Sequence, residues 1–309
     1  MRKIILAGGS GFLGNVLAKH FHQQLYDIVI LSRSPQLYSP YARFTGWNGK
    51  TSDTWEEEFE DADAVINLTG RSVNCRYNEK NKKEILESRV NSTHIVGEAI
   101  RQCKNPPRLW INAGSATIYR HSMIDDRAED SKEIGDDFSM SVCKAWERTF
   151  WEMDTPGTRK MVMRTSLVLG NYKNSVLTVL KRLTRFGLGG RMGSGEQFFS
   201  WIHEYDYVRA IEFLLQRDDL SGTFNLTAPV PLPNKDFMKL LRKEMKMPAG
   251  MGAAKWMLKL GAMVIGTEPE LILKSRKVVP KRLLEEGFVF QFPDVASALH
   301  DLIQRNSNH

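Results

Sequence analysis

The chain has 309 residues, a formal net charge of +7 and 42% apolar side chains. That length supports one large α/β domain with an appended lobe, or two ordinary domains, and the composition excludes a disordered or fibrous chain. Lys and Arg are scattered, with short clusters only at Lys80–Lys83 and Arg276–Arg282, so the excess charge suits an anionic small ligand and no nucleic-acid partner is expected.

The N-terminus, Met1-Arg2-Lys3-Ile4-Ile5-Leu6-Ala7, opens like a signal peptide, but its apolar run breaks at once into glycines. Ile4–Ala7 therefore reads as a strand. It runs into Gly8-Gly9-Ser10-Gly11-Phe12-Leu13-Gly14, where Gly8, Gly11 and Gly14 have the spacing GxxGxxG. The first glycine permits a tight turn, the second lets backbone approach a pyrophosphate, and the third allows close helix packing. An amphipathic stretch, Asn15–Leu25, follows, and the free N–H groups at its start favour a phosphate. Ile28–Leu31 reads as the second strand, and Ser32-Arg33-Ser34 closes it. An NAD-preferring fold places a carboxylate there for the ribose 2′-OH. Arg33 would instead pair with a 2′-phosphate, with Ser32 adding a hydrogen bond, so NADP(H) is the expected cofactor.

Further strand-like runs are Ala64–Leu68, Leu109–Ala113 and Met161–Arg164, with a long helical stretch at Glu79–Cys103. Continuous apolar strands alternating with helices indicate a parallel sheet covered on both faces. After about Gly170 the rhythm changes. Val176–Arg185 reads as a helix, followed by the loop Gly187-Leu-Gly-Gly-Arg-Met-Gly-Ser-Gly195, in which Arg191 could meet a substrate anion. Tyr207–Gln216 reads as a helix, Thr223–Thr227 as a strand, and Asn234 as the cap of a helix reaching Met247. The last 60 residues read as mainly helical. The expected organisation is a doubly wound Rossmann α/β domain over 1–230, with 171–200 contributing to the substrate lobe, and a smaller, mainly helical lobe over 231–309.

No segment reaches the ~18 apolar residues that span a bilayer. Cys75, Cys103 and Cys143 are odd in number and form no CxxC, which fits reduced thiols. Seven histidines show no ligand spacing, so no metal is expected. A cytoplasmic protein without a membrane partner is the resulting expectation.

The chain resembles the extended and atypical short-chain dehydrogenase/reductases. Within them it is most similar to the NAD(P)-dependent epimerase-family group with its own C-terminal domain (the SDR39U1-like group). Gly8–Gly14, Ser32-Arg33, Val65-Ile-Asn-Leu-Thr-Gly70, Ser88-Arg89, Ser115-Ala-Thr-Ile-Tyr119 and Val142-Cys-Lys-Ala-Trp-Glu147 carry the resemblance. So do Arg164–Gly170, Gly193–Gln197, Ser200-Trp-Ile-His203, Asn225–Pro229, Val278-Val-Pro280 and Gly287–Phe290. It implies NADP in an extended groove, with Gly8, Ser10, Gly11, Phe12, Leu13 and Gly14 at the pyrophosphate. It also implies cofactor contacts from Leu68, Thr69, Gly70, Glu84, Arg89 and Lys144, and places Val168 near the nicotinamide. A small substrate, nucleotide- or sugar-like, would enter beneath the C-terminal lobe. Related enzymes often dimerise through helices, so a homodimer stands beside a monomer.

The superfamily's chemistry uses a Ser and a Tyr-x-x-x-Lys, the Tyr as general acid/base. Ser115 and Lys144 match, but Met140 stands where the Tyr belongs. A thioether moves no proton at neutral pH. Tyr119, four residues after Ser115, is one candidate replacement; Ser139, Ser141 and Asp137 are others without specific support. Hydride transfer needing little acid/base help is a second possibility. A third is no catalysis: an NADP(H)-binding regulatory or redox-sensing protein. His203, with Asp206 three residues on, reads either as part of the interlobe site or as a structural hydrogen bond.

Overall fold

The computed structural model describes residues 2–173, 175–258 and 274–305. Seven parallel strands form one sheet in the order β3-β2-β1-β4-β5-β6-β10. They are β1 (Lys3–Ala7), β2 (Asp27–Ser32), β3 (Arg43–Gly46), β4 (Ala64–Asn67), β5 (Leu109–Ser115), β6 (Arg159–Thr165) and β10 (Gly222–Leu226). The order reverses between β1 and β4, and open α/β sheets bind ligands in the crevice outside such a switch point.

Successive strand residues face opposite sides of a sheet. Ile4, Leu6, Ile28 and Ile30 join one core with α1 (Phe12–Gln23) and α5 (Glu204–Gln216). Ile5, Ala7, Val29 and Leu31 join the other with α2 (Glu79–Gln102) and α3 (Phe138–Glu152). This two-sided burial explains the unbroken apolar runs of the sequence.

A third core builds the lobe. Leu177 and Leu180 of α4 (Val176–Arg185), Phe237 and Leu241 of α6 (Asn234–Glu244), and Leu299 and Leu302 of the last helix (Val295–Gln304) meet there. Trp201 of the short strand β9 (Trp201–His203) joins them. β9 pairs with β7 (Leu167–Leu169). The remaining pair is β8 (Phe198–Phe199) with β11 (Leu232–Pro233).

The C-terminal region is not confined to this lobe. Leu283, Phe288 and Phe290 pack back into the Rossmann core. The strap 274–280 threads between the lobes: Arg127 N–H donates to Lys277 O at 2.7 Å, and Ser200 Oγ donates to Arg276 O at 2.6 Å. The expected helical character of 259–273 lies outside the described residues.

Asn234 does not cap α6. It is the first helical residue, after Pro233, and its side chain turns away to accept from Met192 N–H at 2.8 Å. His203 takes the structural reading. Its Nδ1 accepts from Tyr205 N–H at 3.0 Å, which leaves the proton on Nε2 to face Asp301 at 3.1 Å. That bond joins β9 to the last helix. Burial pushes its pKa down to about 4, so the ring stays neutral.

Candidate dinucleotide site

The glycine loop closes the end of β1. Gly8 has φ +72°, and a Cβ on it would lie 2.6 Å from Thr69 Oγ1 of the loop after β4. The two loops flanking the switch point therefore touch. A Cβ on Gly14 would lie 2.0 Å from Gly9 O, so the turn fits only a bare backbone. Gly11 differs: nothing stands within 4 Å of its Cβ position. It is also the N-cap of α1, which has no side-chain cap and no acidic residue in its first turn. The first N–H groups of a helix need partners, and a negative charge satisfies them best. Ser10 is exposed beside them. Phe12 stacks on Tyr172 at 5.3 Å, and Leu13 packs against the core.

Ser32 is buried at the end of β2, where its Oγ accepts from Ser34 N–H at 3.1 Å. Arg33 projects into solvent and forms no ion pair among the described residues. The turn Ser32–Tyr38 carries no carboxylate.

After β4, Leu68 N–H donates to Ala7 O at 2.9 Å, and Thr69 N–H donates to Asn67 Oδ1 at 3.1 Å. Asn67 is fixed by a buried network: its Nδ2 donates to Asn112 Oδ1 at 2.8 Å and to Thr93 Oγ1 at 3.2 Å, and Trp146 Nε1 donates to Thr93 Oγ1 at 2.9 Å. Thr69 Oγ1 is buried and has no hydrogen-bond partner among the described residues, an arrangement that a folded protein ordinarily avoids. Arg89 lies over Trp146 at 5.1 Å, and its guanidinium comes within 3.0 Å of a Cβ placed on Gly70. It donates to Arg71 O and Ile85 O but pairs with no carboxylate among the described residues, and burial holds its pKa below the usual arginine value. Glu84 is paired with Arg71, so it meets the groove only beside that cation.

The uncapped helix, the open Gly11 cradle, the orphaned Thr69 hydroxyl and the uncompensated Arg89 all border the switch point. Together they fit the phosphate-bearing part of a dinucleotide.

At the other end, Ser115 closes β5. Its Oγ accepts from Thr117 N–H at 3.2 Å, leaving its own proton to donate. Lys144 is exposed on α3 and unpaired among the described residues. Met140 is buried, its sulfur filling the space that a side chain on Gly135 would need. Asp137 caps α3 by accepting from Met140 N–H at 2.9 Å, and its second oxygen holds Lys274 of the strap. Ser141 Oγ donates to Asp136 O at 3.2 Å, and Ser139 is half-buried. Val168 is buried in β7 opposite Ile202.

Tyr119 is not the missing acid/base. Its side chain is wholly buried; the hydroxyl donates to Asn225 Oδ1 at 2.8 Å and accepts from Arg164 Nη1 at 2.9 Å. Burial pushes its pKa up, away from proton transfer at neutral pH. The 3-10 turn Ala116–Ile118 carries the chain from Ser115 to Tyr119, and the tyrosine ring is spent on packing and on these two bonds.

Residues 4–227 match the NAD dependent epimerase/dehydratase family. The chain belongs to that family. Residues 253–302 match a domain of unknown function, DUF1731. An epimerase family protein of Staphylococcus saprophyticus is 32% identical over 98% of this chain and 100% of its own. Among solved structures, the human epimerase family protein SDR39U1, crystallised with NADPH, superposes with a TM-score of 0.86 at 26% identity, over 98% of this chain and 99% of that one. A nucleoside-diphosphate sugar epimerase of Corynebacterium glutamicum reaches 0.77 at 25% identity, covering 98% of this chain and 58% of its own.

In this epimerase-family chain, several supporting residues escaped the sequence reading. Trp146 beneath Arg89, Arg71 beside Glu84 and Tyr172 against Phe12 show no local pattern. Asn67 did leave a signal: it is the one polar residue in the buried strand Ala64-Val-Ile-Asn67. Among the described residues no group of three or more metal-ligating side chains occurs, and no helix is long and apolar enough to cross a membrane.

Proposed function

We propose that this chain binds NADP(H) across the ends of β1, β2 and β4 and transfers hydride to or from a small, nucleotide- or sugar-like substrate, as an oxidoreductase or epimerase. The observation that carries the reading is the uncapped α1 terminus with its open cradle at Gly11, beside a β2 turn that offers Arg33 and no carboxylate. The NADPH in the human relative's structure supports the choice of cofactor. The free thiols Cys75, Cys103 and Cys143 suit a cytoplasmic protein, either monomeric or paired through helices.

The nicotinamide, when bound, supplies or accepts the hydride. The amide groups at the start of α1 hold the pyrophosphate, and Arg33 and Ser32 hold the 2′-phosphate. Ser115 Oγ–H donates to the substrate oxygen as charge develops there. Lys144 holds the nicotinamide ribose. Met140 accepts no proton, so the reaction relies on Ser115 and on a substrate activated enough to need little more.

Arg33→Ala is expected to weaken NADPH binding by about tenfold to a hundredfold, the worth of one or two charge-assisted hydrogen bonds, and to leave NADH binding nearly unchanged. Fluorescence titration measures both; equal losses would remove the NADP assignment. On whichever substrate a panel of carbonyls and activated alkenes reveals, Ser115→Ala is expected to lower kcat by about a hundredfold or more. An unaffected rate would exclude Ser115 from the chemistry.

Met140 also favours a second reading, a non-catalytic NADP(H)-binding regulator. Tight NADPH binding without turnover on any panel member, together with partner proteins captured only in the NADPH-bound state, would select it.

A further inference from the structure

The lobe carries a surface that neither the nucleotide site nor the cores use. Inward, α4 buries Leu177, Leu180 and Thr184. Its outer face leaves Val176 and Val179 in solvent, and the loop beyond exposes Phe186 (72%) and Leu188. A second loop is locked beside the first: Met251 N–H donates to Gly187 O at 2.7 Å, and Gly190 N–H donates back to Met251 O at 3.1 Å. It adds exposed Met251 and, five residues on, Trp256 (64%).

The charge of the two segments is one-sided. Residues 176–191 hold Lys181, Arg182, Arg185 and Arg191 and no acidic residue; residues 245–256 hold Lys246 and Lys255 and again no acidic residue. Arg182, Arg185, Arg191, Lys246 and Lys255 are all exposed, and none forms an ion pair among the described residues. Soluble proteins seldom leave this many large apolar side chains together without a use for them.

We infer that this face docks on an anionic lipid surface. Phe186, Leu188, Met251 and Trp256 enter the interface while the arginines and lysines pair with headgroups, a division of labour that defines interfacial attachment. The expectation of no membrane partner rested on spanning segments, and attachment needs none. A single-stranded nucleic acid fits less well: Phe186 and Trp256 offer two rings for stacking, but the other four apolar side chains of the face, Val176, Val179, Leu188 and Met251, offer none. Tyr172, just before α4, stacks on Phe12 of the glycine loop, so docking brings the mouth of the groove close to the bilayer. This inference does not depend on which reaction the groove performs.

The test is co-sedimentation of the full chain with phosphatidylcholine vesicles, with and without phosphatidylglycerol. The expected result is binding only to vesicles containing phosphatidylglycerol, with release at about 1 M salt, where screening is short-ranged. The double variant Phe186→Ala/Trp256→Ala and, separately, Arg182→Gln/Arg185→Gln are each expected to weaken partitioning about tenfold or more, with unchanged melting curves because these side chains are exposed. No binding to the anionic vesicles would overturn the inference, as would wild-type binding by both variants. So would a dimer in sedimentation equilibrium that Phe186→Ala/Trp256→Ala dissolves, or tighter binding to an oligonucleotide with the same sensitivity.

Discussion

Gly14→Ala is expected to lower NADPH affinity by more than about a hundredfold and to cost about 1–3 kcal/mol of stability, the range for overpacking a tight site. The new Cβ would sit 2.0 Å from Gly9 O and 2.4 Å from Gly9 C and Cα, all backbone atoms that cannot rotate aside. Nor can the loop slide. Gly8 N–H is held by Leu31 O at 2.9 Å, Gly9 N–H by Leu6 O at 3.1 Å, and Asn15 Nδ2 donates to Ser10 O and Gly11 O. Relief must come from moving α1 or opening the turn, and either displaces the amide groups that face the phosphates. Gly11→Ala is the matched control. Its Cβ meets nothing within 4 Å, so stability should fall by no more than the cost of Ala for Gly at an N-cap, about 1 kcal/mol, while NADPH binding weakens, because the methyl group occupies the cradle. Thermal melts and NADPH titration of both variants check the argument. Wild-type affinity in Gly14→Ala would mean that the loop does not hold the cofactor.

The second large effect is expected far from the cofactor loops. Arg164 and Glu147 form a buried two-pronged pair, Nε to Oε1 at 2.9 Å and Nη2 to Oε2 at 2.8 Å. The pair raises the pKa of the arginine, so its charge is permanent. Glu147→Gln leaves that charge buried without a counterion, and denaturant unfolding should show a loss of about 3–5 kcal/mol. Tyr119→Phe removes a hydroxyl that accepts from the same guanidinium and should cost less, about 1.5–3 kcal/mol, with any turnover unchanged. Wild-type stability in Glu147→Gln would show that the pair is not fully desolvated. A collapse of turnover in Tyr119→Phe without a stability change would return that residue to the chemistry.

Much of the fold was legible because burial on both faces forces unbroken apolar strands. The helix Val176–Arg185 was read to its last residue, and the structure adds its cap, Ser175, which accepts from Thr178 N–H. β3 was not read. Arg43-Phe-Thr-Gly46 is an edge strand with both end residues exposed, so it needs no apolar run. β7 and β9 have three residues each, too few for any period.

The site divides in the same way. Its glycines were readable because a backbone constraint leaves a residue type behind. The Asn67–Asn112–Thr93 network joins residues 26 and 45 apart in sequence, and no local spacing records that meeting. Tyr119 misled because nearness to Ser115 in sequence says nothing of burial, and its hydroxyl is held by Asn225 and Arg164, 106 and 45 residues away.

The strap sets an order of events during synthesis. Val278 fills a slot among Ala116, Ile118, Tyr119 and Cys143, beside the serine and lysine end of the groove. The seventh strand of the sheet ends at Leu226, so the ribosome makes roughly fifty more residues before Val278 exists, which takes about 3–10 s at ordinary elongation rates. For that interval the nucleotide-binding half has all its strands while an apolar slot at its reactive end stays open to water. Exposed apolar surface of this kind makes a nascent chain prone to aggregate, and a stop codon between Leu226 and Val278 would leave it in that state permanently.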